Sequence, residues 1–535
     1  MKPSFAPMKK ILLILIAVGL LASCGEKVEP EKELPGAVVM DCKVMPDFRG
    51  IEVEFSDNVD LSADYEEAFF FSPRVSYTVS AGSSAEKVLL SFSEQLGNFK
   101  TYTLIISKGE ALGLRIIRQY SFTFTTPYDT TDKFPRISTD ELMTLVQKRT
   151  FKYFWDYAHP DSGLARERYG SGDIVTIGGS GIGLMAIIAA VERGFISRAD
   201  AYARVLKIAN FLSEKADRFH GAFSHWLNGS TGAVYPFSTY DNGGDLVETG
   251  FLMEGLLACR NYFSAAGEAE LRNTITELWE AVEWDWFLRQ GALYWHWSPN
   301  YDWKMNMAIN GWNEALIIYV LAASSPTHPI TKADYESGWA KNGKIRNGKS
   351  FYGITLPLGQ DYGGPLFFAH YSFLGLDPRG LSDQYANYWD QNVAHARINH
   401  AYCAANPKGH AGYSDKCWGL TSSDIPSGYS ASSPTNDLGV IAPTAALASM
   451  PYTPEESIAA MEYFYYTIGD RLFDEYGFHD AFSLSAHWFA DSYLAIDQGP
   501  IVVMIENYRS GAIWNAFMKD PDVAAGLSTL GFSRE

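Results

Sequence analysis

Cysteine is scarce: five thiols in 535 residues, one of them within the first 24. That excludes a scaffold built on disulfides. Cys403 and Cys417 could pair, or stay thiols like Cys42 and Cys259. Positive charge is also short, with 43 basic against 62 acidic residues and a net charge of -19. Such a chain repels nucleic acid and anionic lipid surfaces and suits a neutral partner. No HExxH zinc motif, Walker loop or GxSxG elbow occurs, and the 11 histidines show no ligand-like clustering. Neither a metal nor a cofactor is expected. The glycines of Ile177-Gly178-Gly179-Ser180-Gly181 miss the GxGxxG spacing, and no βαβ unit follows, so a close-packed helix start is the better reading.

Aromatic residues are abundant at 14%, with 14 Trp and 31 Tyr; such rings fill cores and stack on sugar faces. Residues 1–24 read as a targeting segment. Lys9 and Lys10 precede an apolar run over 11–21 that is short for a membrane span. The run closes on Leu21-Ala22-Ser23-Cys24, similar to the lipobox of bacterial lipoproteins, with Cys24 as the lipidated residue. Residues 25–35, rich in Glu, Lys and Pro, form a tether. The expected location is the envelope of a Gram-negative bacterium, lipid-anchored at the outer membrane or cell surface, on either face, as a monomer.

From 36 to 127 the apolar pattern has period two, as in Ile51-Glu52-Val53-Glu54-Phe55 and Tyr120-Ser121-Phe122-Thr123-Phe124. A small β-sandwich is expected there, with a Thr-rich linker over 128–137. From 138 to 535 the period becomes 3.6 and about twelve helices are predicted, at 138–158, 177–194, 197–216, 245–263, 268–288, 306–324, 365–376, 381–406, 436–450, 453–473, 498–518 and near 521–530. Some are amphipathic. Others are apolar all round and open on small or polar residues near Gly178, Gly244, Gly311, Gly364, Asp437 and Gly499. Six buried helices alternating with six outer ones predict an (α/α)6 barrel, with the inner helix starts converging at one end.

That end gathers carboxylates. Asp245 and Glu248 are one turn apart and can face one cleft, although the same spacing is a capping box. Glu314 is expected in the first turn of an inner helix, packed beside Trp312 and apolar residues. Asp497 is expected as the N-cap of the last inner helix, where capping alone competes with a catalytic role. Glycoside hydrolysis needs one protonated carboxyl for the leaving oxygen and one carboxylate to activate water or attack the sugar. Glu314 is the candidate proton donor, because an apolar site raises a carboxyl's pKa. Asp497 is the candidate water-activating base, with Asp245 and Glu248 holding the sugar or orienting water. Trp226, Trp295, Trp297 and Trp312 are candidate sugar platforms. Arg166 and Arg168 could bind hydroxyls or hold a carboxylate charged.

Several phrases together resemble the exported glycoamylase-like family that includes bacterial endo-β-1,2-glucanases: Phe151-Lys152-Tyr153-Phe154-Trp155-Asp156, Asp245-Leu246-Val247-Glu248-Thr249, Gly311-Trp312-Asn313-Glu314, Phe478-His479-Asp480-Ala481-Phe482 and Ala495-Ile496-Asp497-Gln498-Gly499-Pro500. The resemblance spans about 140 to 520 and implies an (α/α)6 fold, no metal, and hydrolysis of a β-glucan, with β-1,2-linked glucan the best single substrate. Val53-Glu54-Phe55-Ser56-Asp57-Asn58 resembles the bacterial immunoglobulin-like modules that precede exported enzymes. Two alternatives stand beside this reading: a hydrolase or lyase of another oligosaccharide, glucoamylase-like, and a non-catalytic glycan-binding lipoprotein. Residues 395–435 match no part of the pattern and are expected to loop over the cleft mouth.

Overall fold

The computed structural model describes residues 33–534. The expected signal peptide, the lipidated Cys24 and most of the tether lie outside the described residues. The chain divides into two compact units, 1–128 and 129–535.

The first unit is all β. Ten short strands are β1 (Gly36–Ala37), β2 (Val39–Val44), β3 (Gly50–Phe55), β4 (Phe69–Ser72), β5 (Tyr77–Ala81), β6 (Lys87–Phe92), β7 (Thr101–Ile106), β8 (Gly109–Ala111), β9 (Leu114–Ile116) and β10 (Tyr120–Thr125). They form sheets in the orders β2-β3-β6-β5, β10-β7-β4 and β1-β9-β8. Alternate residues turn inward, so Ile51, Val53 and Phe55 from one sheet and Leu104 and Ile106 from another share one buried core.

The second unit is built on helices: α1 (Thr139–Trp155), α2 (Ile177–Glu192), α3 (Arg198–Glu214), α4 (Leu246–Tyr262), α5 (Ala269–Glu280), α6 (Leu316–Ser324), α7 (Lys332–Ser337), α8 (Tyr388–Ala405), α9 (Pro443–Leu447), α10 (Pro454–Glu462), α11 (Gly469–Leu472), α12 (Ala495–Arg509), α13 (Ala512–Phe517) and α14 (Pro521–Leu530). Their burial separates two layers. In α2 every residue from Ile177 to Ala190 is buried, whereas α5 buries only Leu271, Ile275, Leu278 and Trp279, the stripe of a helix with one wet face.

The inner ring closes. Helix α2 packs on α4 and α12, α4 on α6, and α6 on short turns at 366–373. Those turns reach the end of α9 through His370 Nε2 and Ser449 Oγ at 2.9 Å, and α9 packs on α12. Helices α1, α3, α5, α8, α10 and α14 pack against this ring from outside. The arrangement is the expected alternation of inner and outer members. Helices α2 and α4 approach so closely that a Cβ on Gly181 would strike the Phe251 carbonyl, and one on Gly255 the Gly181 carbonyl.

Several helix limits differ from expectation, each for a local reason. Residues 306–315 are not helical: Ile309 N–H pairs with Leu293 O, Trp295 N–H with Met307 O, and Gly311 is left-handed at φ 78°. The expected helix at 365–376 is two 3₁₀ turns, Leu366–Ala369 and Tyr371–Phe373; the N–H groups of Leu366 and Phe367 are taken by Leu420 O and Thr421 Oγ1, and Gly375 N–H, just beyond the turns, donates to Glu254 Oε1 at 2.8 Å. The helix at 436–450 shrinks to α9, which opens on Pro443, because Asp437 holds the preceding loop through Tyr402 and Tyr413. Segment 453–473 breaks at a π turn over Tyr463–Thr467. The unmatched 395–435 stretch is less loop than expected. It finishes α8, then forms the antiparallel hairpin Ser422–Ile425 with Gly428–Ala431. All four cysteines among the described residues are buried free thiols, Cys403 and Cys417 included.

Candidate active site

The starts of α2, α4 and α12 meet at one end of the ring. A cavity of about 330 Å³ opens there, lined among others by Arg168, His225, Trp226, Glu248, Tyr371 and Tyr429. The last of these comes from the 422–431 hairpin.

Glu248 reaches the cavity wall from the first turn of α4. Its Oε2 accepts the Gly178 N–H at 2.7 Å, from the first turn of α2. Asp245 is the N-cap of α4, as the spacing allowed: Oδ1 accepts the N–H groups of Val247 and Glu248, both at 2.9 Å. Its Oδ2 turns the other way, toward Trp295 Nε1 at 3.2 Å and His225 Nδ1 at 3.3 Å. One carboxylate thus caps a helix and braces His225, which lines the cavity.

His225 stands among three acids, with Asp245 at 3.3 Å, Asp241 at 3.7 Å and Glu248 at 3.8 Å. Burial opposes its charge, but the Glu248 charge and contacts with Asp241 and Asp245 outweigh it and hold the imidazolium well above the usual range. Burial raises the Glu248 carboxyl, and the His225 charge draws it partly back. Atoms of His225, Asp241 and Asp245 lie within 4.8 Å of one another, so this trio is also the one donor set among the described residues compact enough for a cation. A positive imidazolium answers the same need.

Glu314 lies in a turn two residues before α6, not in its first turn as expected, because residues 306–313 are irregular, with left-handed Asn306 and Gly311, and Asn313 Oδ1 takes the Ala315 N–H at 2.9 Å. It is buried, its backbone carbonyl accepts Ser372 Oγ–H, and burial lifts its carboxyl to about 7, with Glu248 adding to the rise.

Asp497 is the third residue of α12 rather than its N-cap, which is Leu494, so its side chain is free of capping. Neither oxygen receives a well-formed hydrogen bond, and Asp480 presents a second bare oxygen, Oδ1. Asp480 Oδ2 accepts the Asp424 N–H at 2.6 Å. Burial raises both carboxyls, and their mutual repulsion raises Asp497 further. Two adjoining buried carboxyls cannot both be charged cheaply, so each opposes the other's ionisation, with Asp497 the more strongly raised. Asp424 in turn accepts from Ser492 Oγ at 2.5 Å and from Arg168 Nη1 at 3.2 Å, and Arg168 also pairs with Glu167.

Of the predicted platforms, Trp226 lines the cavity and Trp295 touches Asp245. Trp297 packs on His220 at the side. Trp312 is not brought to the cavity: it is 5% exposed, stacked near Phe373 and Tyr388, with Nε1 on His395. Arg168 reaches the cavity. Arg166 does not, because its guanidinium is committed to the carbonyls of Gly172 and Tyr157. Sequence reasoning missed Asp241, Tyr371, Asp424, Tyr429 and Asp480 as neighbours of the site. Asp480 sat in a quoted motif and Asp241 one turn before Asp245, but nothing local marked either.

Known proteins carry the same architecture. The family model described as "Putative glucoamylase" matches residues 306–521. An exo β-1,2-glucooligosaccharide sophorohydrolase of Parabacteroides distasonis is 46% identical over 417 residues, 73% of this chain and 58% of its own length. The chain therefore spans under two thirds of that curated relative. The endo-β-1,2-glucanase of Chitinophaga pinensis, solved with sophorotriose and glucose, is 52% identical, with a TM-score of 0.73 over 74% of this chain and 99% of its own. A β-1,2-glucanase structure from Parabacteroides distasonis is 38% identical with a TM-score of 0.72, covering 94% of this chain and 73% of its own.

Proposed function

The chain belongs to the glycoamylase-like family, and on that footing we propose that it is a glycoside hydrolase that cleaves β-1,2-linked glucan. The observation that carries the reading is that two kinds of carboxyl lie just behind one cavity wall: Glu314, Asp480 and Asp497 all act electrostatically on Tyr371, which lines the cavity, and Glu314 also feels the lining Glu248. Glu314 is held protonated toward neutral pH by burial, and on this reading the Asp480–Asp497 pair carries one negative charge. Glu314 gives its proton to the glycosidic oxygen as the bond to the anomeric carbon breaks. Asp497 takes a proton from the water whose oxygen bonds to that carbon. Asp245, Glu248 and the His225 imidazolium bind sugar hydroxyls, and Trp226 offers an apolar ring face. The names of the similar proteins, a β-1,2-glucooligosaccharide sophorohydrolase and an endo-β-1,2-glucanase, support the linkage.

The test is a panel of linkage-defined glucans, β-1,2, β-1,3, β-1,4, β-1,6 and α-1,4, with products identified by chromatography. Release from β-1,2-glucan alone is expected; release from the α-1,4 polymer instead, or binding without cleavage of any, overturns the reading.

The β unit is an immunoglobulin-like spacer, and Cys24 is a lipid anchor in the envelope of a Gram-negative bacterium. No helix among the described residues is long and apolar enough to cross a membrane. Cys24→Ala should move the protein to the soluble fraction with turnover intact; a wild type already soluble removes the anchor.

A further inference from the structure

We infer that a strip of exposed aromatic rings leading away from the cavity, centred on Tyr240, Trp286 and Tyr301, is a secondary binding platform for the part of a glucan chain that extends beyond the catalytic cavity. The inference deepens the glucanase reading and rests on it.

Large apolar side chains are normally covered, and a cluster of bare ones marks a surface that something occupies. Phe237 is 50% exposed, Tyr240 41%, Trp286 42% and Tyr301 43%. Phe237, Tyr240 and Tyr301 come from loops and Trp286 from the 3₁₀ turn Trp284–Phe287; Gly244 and Asp245 at the start of α4 pair with Trp297 and His296, and Trp297 meets Trp286 edge-on at 6.4 Å, which sets these residues at the end of the barrel where α4 starts. The strip begins at the cavity itself. Phe237 lines it, stacks on His225 with centroids 4.2 Å apart and meets Trp226 edge-on at 4.8 Å. Tyr240 follows in the same tight turn and meets Tyr301 edge-on at 5.2 Å. Trp286 lies flat on His220 at 3.8 Å, which leaves its opposite face to solvent, and Trp297 and Trp303 brace it from the side.

The loops are held in place before any ligand arrives. Ser298 Oγ–H donates to Asn242 Oδ1 at 2.6 Å, and the same oxygen accepts the N–H groups of Asn300 and Tyr301 at 3.1 and 3.0 Å. Asn242 Nδ2 donates to Asn300 Oδ1 at 2.8 Å. The loop bearing Tyr301 is thereby tied to the loop bearing Tyr240. Preorganised rings lose little entropy on binding. Their faces match the apolar C–H face of a pyranose, and the rim of amides matches its hydroxyls. The chain's net charge of -19 disfavours a polyanion there. Continuity with the cavity through Phe237 identifies the occupant as the substrate's own chain.

The test compares wild type with Trp286→Ala, Tyr301→Ala and the double variant on polymeric β-1,2-glucan and on a β-1,2-linked tetrasaccharide. The double variant should raise KM for the polymer about tenfold or more, with kcat and the tetrasaccharide kcat/KM within about twofold of wild type. Trp286→Phe with Tyr301→Phe should restore most of the loss, because rings remain. Equal losses on both substrates, or an unchanged polymer KM, overturn the platform while leaving the glucanase reading standing. A wild type inert on every β-1,2-glucan removes the glucanase reading, and the platform falls with it.

Discussion

The backbone N–H of Gly178 donates to Glu248 Oε2 at 2.7 Å, so the first turn of one inner helix fixes the acid on the first turn of the next. A Cβ at position 178 would stand 2.7 Å from that same oxygen and 3.1 Å from the ring of Phe251.

Gly178→Ala therefore tests Glu248 without touching it. Overpacking of this kind costs about 1–3 kcal/mol, and here the side chain that can yield is the Glu248 carboxylate. A fall in kcat/KM of about tenfold or more is expected with a cooperative thermal transition retained. Unchanged kinetics would mean that Glu248 has no need of its present place.

If Glu314 is the proton donor proposed above, its substitution should change both activity and a pH-dependent part of stability. Its carboxyl sits at about 7 in the folded chain against an ordinary 4.5. Folding thus favours the protonated form, and the associated stability is complete below about 4.5 and lost as pH rises through about 7. That interval corresponds to about 3 kcal/mol. Thermal melts at pH 5 and 8 should show Glu314→Gln losing less stability than wild type across the range. Its turnover on glucan should fall at least about a hundredfold, the low end of what general acid catalysis supplies. Parallel melting curves, or near-normal turnover, would remove Glu314 as the buried acid.

The division of labour between Glu314 and Asp497 is separable with an activated aryl glycoside, whose leaving group needs little protonation. Loss of the acid in Glu314→Gln should be partly forgiven on that substrate. Loss of the base in Asp497→Asn should not be. Rescue of Asp497→Asn alone would reverse the two roles.

Asp480 should matter through Asp497. An asparagine at 480 can still accept the Asp424 N–H and can donate an amide hydrogen to Asp497, so Asp480→Asn should keep turnover at neutral pH within about tenfold. Asp480→Ala leaves Asp497 without its carboxyl neighbour and the Asp424 N–H without an acceptor, and should fall well below that. Equal losses in both variants would reduce Asp480 to packing.

On the proposed reading, positive charge at His225 takes the place that a cation could fill between Asp241 and Asp245. Dialysis against EDTA should leave kcat unchanged, whereas His225→Ala should lose activity and should not recover it with added calcium or zinc. Chelator-sensitive turnover would reassign His225, Asp241 and Asp245 as ligands.

Much of this protein follows from local pattern. Apolar period two over 36–127 and period 3.6 beyond it separate the two units, because alternation and helical repeat are properties of neighbouring residues. The glycine-marked inner helix starts disclosed a closed ring, and Asp245 with Glu248 read as one cleft-facing turn because three residues make nearly one turn. Tertiary structure decided what lies between remote segments. It took Glu314 out of its expected helix, because residues 307–309 pair with 293–295 through an isolated bridge. It placed Asp497 inside α12 and Trp312 in the core. It brought Asp480, from a bend just after the strand Gly477–Phe478 and seventeen residues upstream, against Asp497, and set His225 among three acids. The protonation that divides acid from base in this site depends on burial and on charges converging through space, and those are set by how the ring packs.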